Sequence, residues 1–212
     1  MEVQKEDENI VYTLGNKIYI NLTNSCTNNC LFCIRNIKKD VCGANLFLKK
    51  DNIKAQDVIQ QLKNKKLSIE NNEVVFCGYG EPTLRLNALL ETAKYLKSNY
   101  KNVKIRLNTN GHGNYINKYN IVDDLKGLID SVSISLNGET KELYNKISQP
   151  NFENAYEEML NFTKLCVESG IDVTLSIVTK YKDFNPDINK CQEIANNLGA
   201  KFRNREYLVN GY

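Results

Sequence analysis

Hydrophobic and polar positions along the chain follow two different periods. Short apolar runs, typical of buried strands, lie at 17–23, 73–77, 103–107, 131–136, 172–178 and 201–207. Between these runs, apolar residues recur at helical spacing near 53–66, 84–100, 115–126, 152–169 and 187–198. This alternation predicts right-handed βαβ units built around a mostly parallel sheet.

The number of units determines the expected architecture. A closed eight-unit barrel needs about 250 residues, whereas this chain has 212. We therefore expect an α/β fold, a partial (β/α)6 TIM-type barrel that is open on one side. Residues 1–16 are expected to form an N-terminal extension and residues 17–212 the barrel domain. Ligands of such folds bind at the carboxyl ends of the strands.

Composition and charge argue against several classes of function. The 28 basic and 25 acidic residues are interspersed and leave a net charge of +3, so nucleic-acid binding is not indicated. No apolar run approaches the ~20 residues of a membrane-spanning helix. Residues 1–8 are polar and lack the apolar region of a signal peptide, so a cytoplasmic location is expected.

Three of the seven cysteines fall within eight residues and carry the strongest chemical signal. Cys26, Cys30 and Cys33 have the spacing C-x3-C-x2-C directly after the first predicted strand. Thiolates this close together can hold an iron–sulfur cluster, and three ligands leave one iron of a cubane open. A zinc site is the alternative, with Cys42 as a fourth ligand. The remaining cysteines are interpreted as packing residues: Cys42, Cys77, Cys166 and Cys191.

The cysteine triplet, with Phe32 before its last member, resembles the signature of the radical S-adenosylmethionine (radical SAM) superfamily. The loop Gly78-Tyr79-Gly80-Glu81-Pro82 resembles the Gly-Gly-Glu-Pro element of that superfamily, with Tyr79 where a glycine is often found. The resemblance covers most of the chain. Within the superfamily, the chain is most similar to a small subgroup associated with TatD-type nucleases.

The resemblance implies a [4Fe–4S] cluster on the three cysteines, with S-adenosylmethionine (SAM) chelated at the open iron. Reductive cleavage of SAM would give methionine and a 5′-deoxyadenosyl radical, which abstracts a hydrogen atom from an unidentified substrate. A reducing partner such as flavodoxin or ferredoxin would supply the electron, and the cluster would be oxygen-sensitive. One alternative is an activating enzyme that installs a glycyl radical on a partner protein. A non-catalytic zinc-binding module is the alternative from a different class.

The loop after the second predicted strand is expected to hold the amino group of SAM. The ammonium needs acceptors, which the Glu81 carboxylate and the carbonyls of Tyr79 and Gly80 can supply. Gly78 and Gly80 permit close approach of the backbone.

Residues at the ends of the later strands are candidates for the rest of SAM. Asn108 and Ser135 are predicted to contact the ribose hydroxyls or the carboxylate. Phe32 and Val178 are predicted to pack against the adenine. Asn110 also follows a strand, but an Asn before Gly is equally a turn signal.

Few residues point to the substrate. His112, the only histidine, is the candidate catalytic residue because its pKa suits proton transfer; an exposed loop histidine is the alternative. Arg203 and Arg205 share a strand face with Tyr207 and could bind a phosphate or carboxylate, so a large or anionic substrate is expected. A solvated edge strand is the alternative there. Arg35 could bind an anion or tune the cluster.

Overall fold

The computed structural model describes residues 9–41, 43–65, 67–69 and 72–207. Its strands are β1 (Val11–Leu14), β2 (Lys17–Ile20), β3 (Asp40–Val41), β4 (Ala44–Asn45), β5 (Glu73–Phe76), β6 (Lys104–Thr109), β7 (Ser131–Ser135), β8 (Asp172–Thr179) and β9 (Lys201–Glu206). Its α-helices are α1 (Ala55–Asn64), α2 (Leu86–Asn99), α3 (Gly113–Asn117), α4 (Val122–Leu125), α5 (Lys141–Ser148), α6 (Ala155–Glu168) and α7 (Ile188–Asn197). Two 3-10 helices cover Ile34–Asn36 and Pro82–Arg85.

Seven strands form one sheet in the order β1-β2-β5-β6-β7-β8-β9. From β2 to β9 every neighbouring pair is parallel, whereas β1 is antiparallel to β2. The first and last strands of this order do not pair with each other, so the sheet is not closed. The prediction of a partial barrel that is open on one side is confirmed.

The two faces of the sheet follow from the alternation of side chains along each strand. In β7, Val132 and Ile134 are buried, whereas Ser131, Ser133 and Ser135 are partly exposed. Because successive side chains point to opposite faces, the apolar face packs against the helices and the serines lie on the inner face of the barrel. The sheet therefore combines an apolar outer layer with a polar interior.

One core joins the outer face of the sheet to the helices. Ile105 and Leu107 of β6 and Leu175 of β8 are completely buried in it, together with Leu89 of α2 and Phe162 of α6. This packing covers the helical side of every crossover unit and leaves the carboxyl ends of the strands for loops. No helix in the described part of the chain is long and apolar enough to cross a membrane.

The sheet begins earlier than the sequence analysis placed it. Residues 11–14, assigned there to an N-terminal extension, form β1, and the barrel sheet therefore starts at Val11. Gly15 has a φ of +59° in the turn between β1 and β2, a conformation that glycine adopts at little cost. Val11 and Tyr12 are almost fully buried, so this strand closes the core at its edge.

The connections after β6 and β7 also differ from the prediction. The helix expected near 115–126 is two short helices, α3 and α4, because Lys118 after α3 has a φ of +65°. The connection from β7 to β8 contains α5 as well as the predicted α6. Helix α5 has eight residues and buries Tyr144 and Ile147. A helix this short has too few apolar positions for a helical period to be recognised in the sequence.

Candidate active site

The three clustered cysteines lie in the cysteine loop, residues 21–33, at the carboxyl end of β2. All three are partly exposed and none forms a disulfide. Burial, the carboxylate of Glu81 and the Cys33 thiol raise the pKa of Cys26 to about 11. Burial and the other two thiols raise the pKa of Cys30 to about 12. The thiols are close enough to affect one another, and binding of a metal group here must release protons.

The donor set fits an iron–sulfur cluster by its chemistry. Thiolates are the ligands of such clusters, and here three thiols converge from one loop. No three His, Cys, Asp or Glu side chains among the described residues are placed to hold a single metal ion. A cubane does not require that placement, because each thiolate binds a different iron. Cys42 lies outside the described residues.

Polar hydrogens point at the sulfurs of the triplet. The backbone N–H of Asn28 donates to Cys26 Sγ at 3.4 Å, and Asn110 Nδ2 donates to the same sulfur at 3.7 Å. The hydroxyl of Ser148 hydrogen-bonds Cys30 and lowers its pKa against the effect of burial. Donors of this kind stabilise a thiolate and tune the group that it holds.

The end of α5 and the segment that follows it hold the middle of the cysteine loop in place. Leu31 donates its N–H to the carbonyl of Ile147 at 2.9 Å, and Asn151 donates to the carbonyl of Thr27 at 3.0 Å. Asn28 forms an isolated bridge with Pro150. The sequence analysis did not predict α5 and therefore missed this support.

The start of the cysteine loop is fastened by Asp51, another residue that the sequence analysis missed. Its carboxylate accepts hydrogen bonds from the side chains of Thr23 and Ser25 and from the backbone N–H of Asn24. These bonds hold the pKa of Asp51 below its ordinary value. The polar residues between 21 and 29 need hydrogen-bond partners, but the sequence does not show which carboxylate supplies them.

Gly78 and Gly80 allow close approach of the cysteine loop in this structure, and their approach to SAM stays a prediction. A Cβ on Gly80 would lie 2.4 Å from the carbonyl oxygens of Thr23 and Ser25. A Cβ on Gly78 would lie 2.0 Å from Asn21 Oδ1. The two loops therefore pass each other with no room for a side chain.

The side chain of Tyr79 belongs to a second, smaller core. It packs with Tyr12, Val41 and Leu46, and its hydroxyl donates to the carbonyl of Lys38 at 2.7 Å. Tyr79 thus ties the segment after the cysteines to the sheet, and the contact of its backbone carbonyl with SAM stays a prediction.

Glu81 has a different role from the one predicted. Its carboxylate is buried, and burial raises its pKa. It accepts four hydrogen bonds, from the backbone N–H and hydroxyl of Thr83, the hydroxyl of Thr109 and the backbone N–H of Asn110. These bonds join the loops after β5 and β6. The expectation that this carboxylate accepts from the ammonium of SAM is not supported, because it is enclosed by its own chain.

His112 is buried and bridges two elements. It has no exposed surface, and its Nδ1 lies 2.8 Å from Thr27 Oγ1 while its Nε2 lies 2.9 Å from the hydroxyl of Tyr144. Burial lowers its pKa to about 4. With both ring nitrogens hydrogen-bonded, His112 has none to present to a substrate, so the catalytic assignment is corrected. The exposed-loop alternative is also wrong.

Asn110 completes this buried network. Its Nδ2 donates to Thr27 Oγ1 at 2.7 Å, and its Oδ1 accepts from the backbone N–H of His112 at 3.0 Å. The network runs from Glu81 through Asn110 and Thr27 to His112, and from there to Tyr144 on α5. It joins the loops after β2, β5 and β6 to α5 at the carboxyl edge of the sheet.

The remaining predicted SAM contacts lie near the same edge. Asn108 and Ser135 are close to the carboxyl ends of β6 and β7, on the inner face. Val178 pairs in register with Arg205, which lines the interior, so Val178 shares that face. Phe32 packs edge-on against Tyr181 with ring centroids 6.0 Å apart.

A family model described as the radical SAM superfamily matches residues 20–189 of the sequence. The chain belongs to the radical SAM superfamily. No curated protein matches the sequence. The similarity to the TatD-associated subgroup stays a prediction.

Several solved structures share the fold. SuiB of Streptococcus suis bound to its precursor peptide SuiA has a TM-score of 0.62 and 16% identity, over 93% of this chain and 40% of that one. HydG, a maturase of the [FeFe]-hydrogenase, has a TM-score of 0.63 and 16% identity, over 91% and 44%. The anSMEcpe protein with bound AdoMet has a TM-score of 0.55 and 17% identity, over 90% and 50%. This chain therefore spans half or less of those structures.

The other residues singled out in the sequence lie in different parts of this radical SAM protein. Cys166 and Cys191 are completely buried, as predicted. Cys77 lines the barrel interior, and Arg35 donates to the carbonyl of Asn24 at 3.1 Å. Tyr207 packs edge-on against Tyr181.

Gly80→Ala tests the contact between the two loops. The new Cβ must displace backbone, so we expect the free energy of unfolding to fall by about 3 kcal/mol and iron binding to weaken. Gly15→Ala is the control: nothing lies within 4 Å of its Cβ, and its positive φ costs about 1 kcal/mol. Urea unfolding and iron content of both variants give the comparison, and equal effects would contradict the tight contact.

The pH dependence of stability tests the burial of His112. The pKa of about 4 in the folded chain lies below the ordinary value, so only the unfolded chain takes up this proton as pH falls. Stability is therefore lost on acidification, by about 2 kcal/mol between about pH 7 and pH 5 from this group. Urea unfolding of the native chain and of His112→Gln measures the difference in slope. Parallel pH profiles would show that His112 titrates normally in the folded chain.

Proposed function

We propose that this chain binds a [4Fe–4S] cluster on Cys26, Cys30 and Cys33 and cleaves SAM reductively to start radical chemistry on a substrate. The observation that carries this proposal is the cysteine loop itself. In a member of the radical SAM superfamily, it brings three thiols together beside the loop after β5. Bound there, such a cluster supplies the electron that splits SAM into methionine and the 5′-deoxyadenosyl radical.

The protein's own contribution is to hold SAM and to orient it. Carbonyls of Tyr79 and Gly80 are proposed to accept hydrogen bonds from the ammonium of SAM. Glu81 supports them indirectly, since its backbone N–H donates to Ser25 O at 2.8 Å and its carboxylate binds the loop after β6. The loop therefore keeps its position before any ligand binds, which limits the entropy lost on binding.

The inner face supplies the remaining contacts to SAM in this proposal. Asn108 and Ser135 offer polar groups to the ribose or carboxylate, and Asn108 Oδ1 is buried with no hydrogen-bond partner among the described residues. A buried acceptor without a partner costs free energy, which a ligand hydroxyl would recover. Phe32 and Val178 provide apolar surface for the adenine.

The surface beside the cysteines supports the proposal of a flavodoxin- or ferredoxin-type reductant. Leu31 is 43% exposed and Ile37 is 51% exposed, and Lys38 and Lys39 follow directly in sequence. Apolar side chains next to positive charge suit an acidic electron carrier, since complementary charge steers such encounters.

Cys30→Ala tests the ligand assignment. We expect anaerobically reconstituted native protein to be brown and to release 5′-deoxyadenosine when given SAM and a reductant. The variant should lose most of both, because a missing thiolate leaves one iron without its ligand. Iron content, visible absorption and chromatography of the nucleoside measure this. Cys191→Ala, in the buried face of α7, is the control and should keep both properties. Colourless native protein with one zinc per chain would instead favour the zinc-binding module.

Ser135→Ala tests the inner-face contacts. Loss of one hydrogen bond to SAM should weaken its binding about fivefold to tenfold. Ser131→Ala is the matched control on the same face at the opposite end of β7, where binding should not change. Equilibrium dialysis with cluster-loaded protein gives both affinities. An equal effect of the two substitutions would remove Ser135 from the site.

A further inference from the structure

The interior of the open barrel holds a cavity of about 510 Å³. It runs along the inner face from the loop after β5 toward the start of β2. Its lining includes Tyr12 and Leu14 of β1 and Arg203 and Arg205 of β9, so the curved sheet brings its first and last strands to the same space. The volume suits a small molecule.

One wall of this cavity is apolar. Tyr12 and Tyr19 stack on each other with ring centroids 5.3 Å apart, and Leu14, Val41 and Leu46 continue the surface. This wall comes from β1, β2 and the segment around β3 and β4. It offers the flat hydrophobic surface that binds an aromatic or aliphatic body.

The rest of the lining contains four basic side chains. Lys17, Arg106, Arg203 and Arg205 line the cavity, and no acidic residue in the described part of the chain lines it. The positive charges of Arg106 and Arg205 both act on the buried thiol of Cys77 and lower its pKa against the effect of burial. Side chains from β6 and β9 therefore direct their charge into one space.

Two of these basic side chains form ion pairs within the described part of the chain. Glu73 forms ion pairs with Lys17 and with Arg106. Arg205 donates to Ser176 Oγ at 3.4 Å. Arg203 forms no hydrogen bond or ion pair with any residue that the structure describes. A lining with four basic side chains, and with no acidic one among the described residues, favours an anion.

We propose that the part of this cavity beyond Gly78, Tyr79 and Asn108, the lining residues assigned above to SAM, is the substrate site. It takes a small anionic molecule with an apolar body, whose carboxylate or phosphate is bound by Arg203. Arg205 lies two residues further along β9 on the same face and adds to the positive potential of the cavity. A guanidinium binds either group through two parallel hydrogen bonds. The apolar body then lies against Tyr12 and Tyr19. Its use as a substrate rests on the radical SAM function proposed above, whereas the binding itself does not.

Equilibrium dialysis with three naphthalene compounds tests this site on the cluster-loaded full chain, without SAM or reductant. The compounds are 1-naphthyl phosphate, 1-naphthoate and the uncharged 1-naphthalenemethanol, which share one aromatic body. At least one anion should bind about tenfold more tightly than the alcohol. The preferred anion distinguishes a phosphate from a carboxylate as the natural head group.

Arg203→Gln should remove most of the preference for the anion, and Arg203→Lys should keep part of it because the charge remains but the paired donors are lost. Lys164→Gln is the charge-matched control, since Lys164 is an exposed residue of α6 paired with Glu168. Equal binding of all three compounds, or an anion preference that survives Arg203→Gln, would overturn the proposal. Failure to form 5′-deoxyadenosine would count against the radical function and leave these affinities unchanged.

Discussion

The structure depends on how an irregular loop is held at the edge of a regular sheet. The cysteine loop has few hydrogen bonds of its own, and its polar groups would be costly if left without partners. Asp51 binds its start, the end of α5 and the segment that follows it bind its middle, and Thr27 joins the buried network of Glu81, Asn110 and His112. These contacts set where the three thiols lie.

The same contacts explain why so many polar residues near the site are enclosed. Glu81 and His112 both carry shifted pKa values because they are buried. Shifted groups in a cleft are often catalytic, but here each has its hydrogen bonds within the chain. Their function is to position the loops, and the groups left for ligands are backbone carbonyls and the side chains of the inner face.

The inner face separates two kinds of surface within a small barrel. The carboxyl edge carries the cysteine loop, while the space below is lined by tyrosines and by arginines. A closed barrel of eight units fills its interior with branched apolar side chains. This sheet is open, and its strands carry Ser and Asn side chains on their inner face. The interior can therefore admit a ligand.

The sequence by itself determined the strand and helix alternation, the open parallel sheet and the cysteine triplet, because periodicity and close spacing are local properties of the chain. It did not reveal β1 in the sheet, α5, or Asp51 as a partner of the cysteine loop. Nor could it tell that His112 is buried, since Gly-His-Gly is typical of an exposed turn. Those features depend on contacts between segments far apart in sequence, such as His112 with Tyr144, and only tertiary packing decides them.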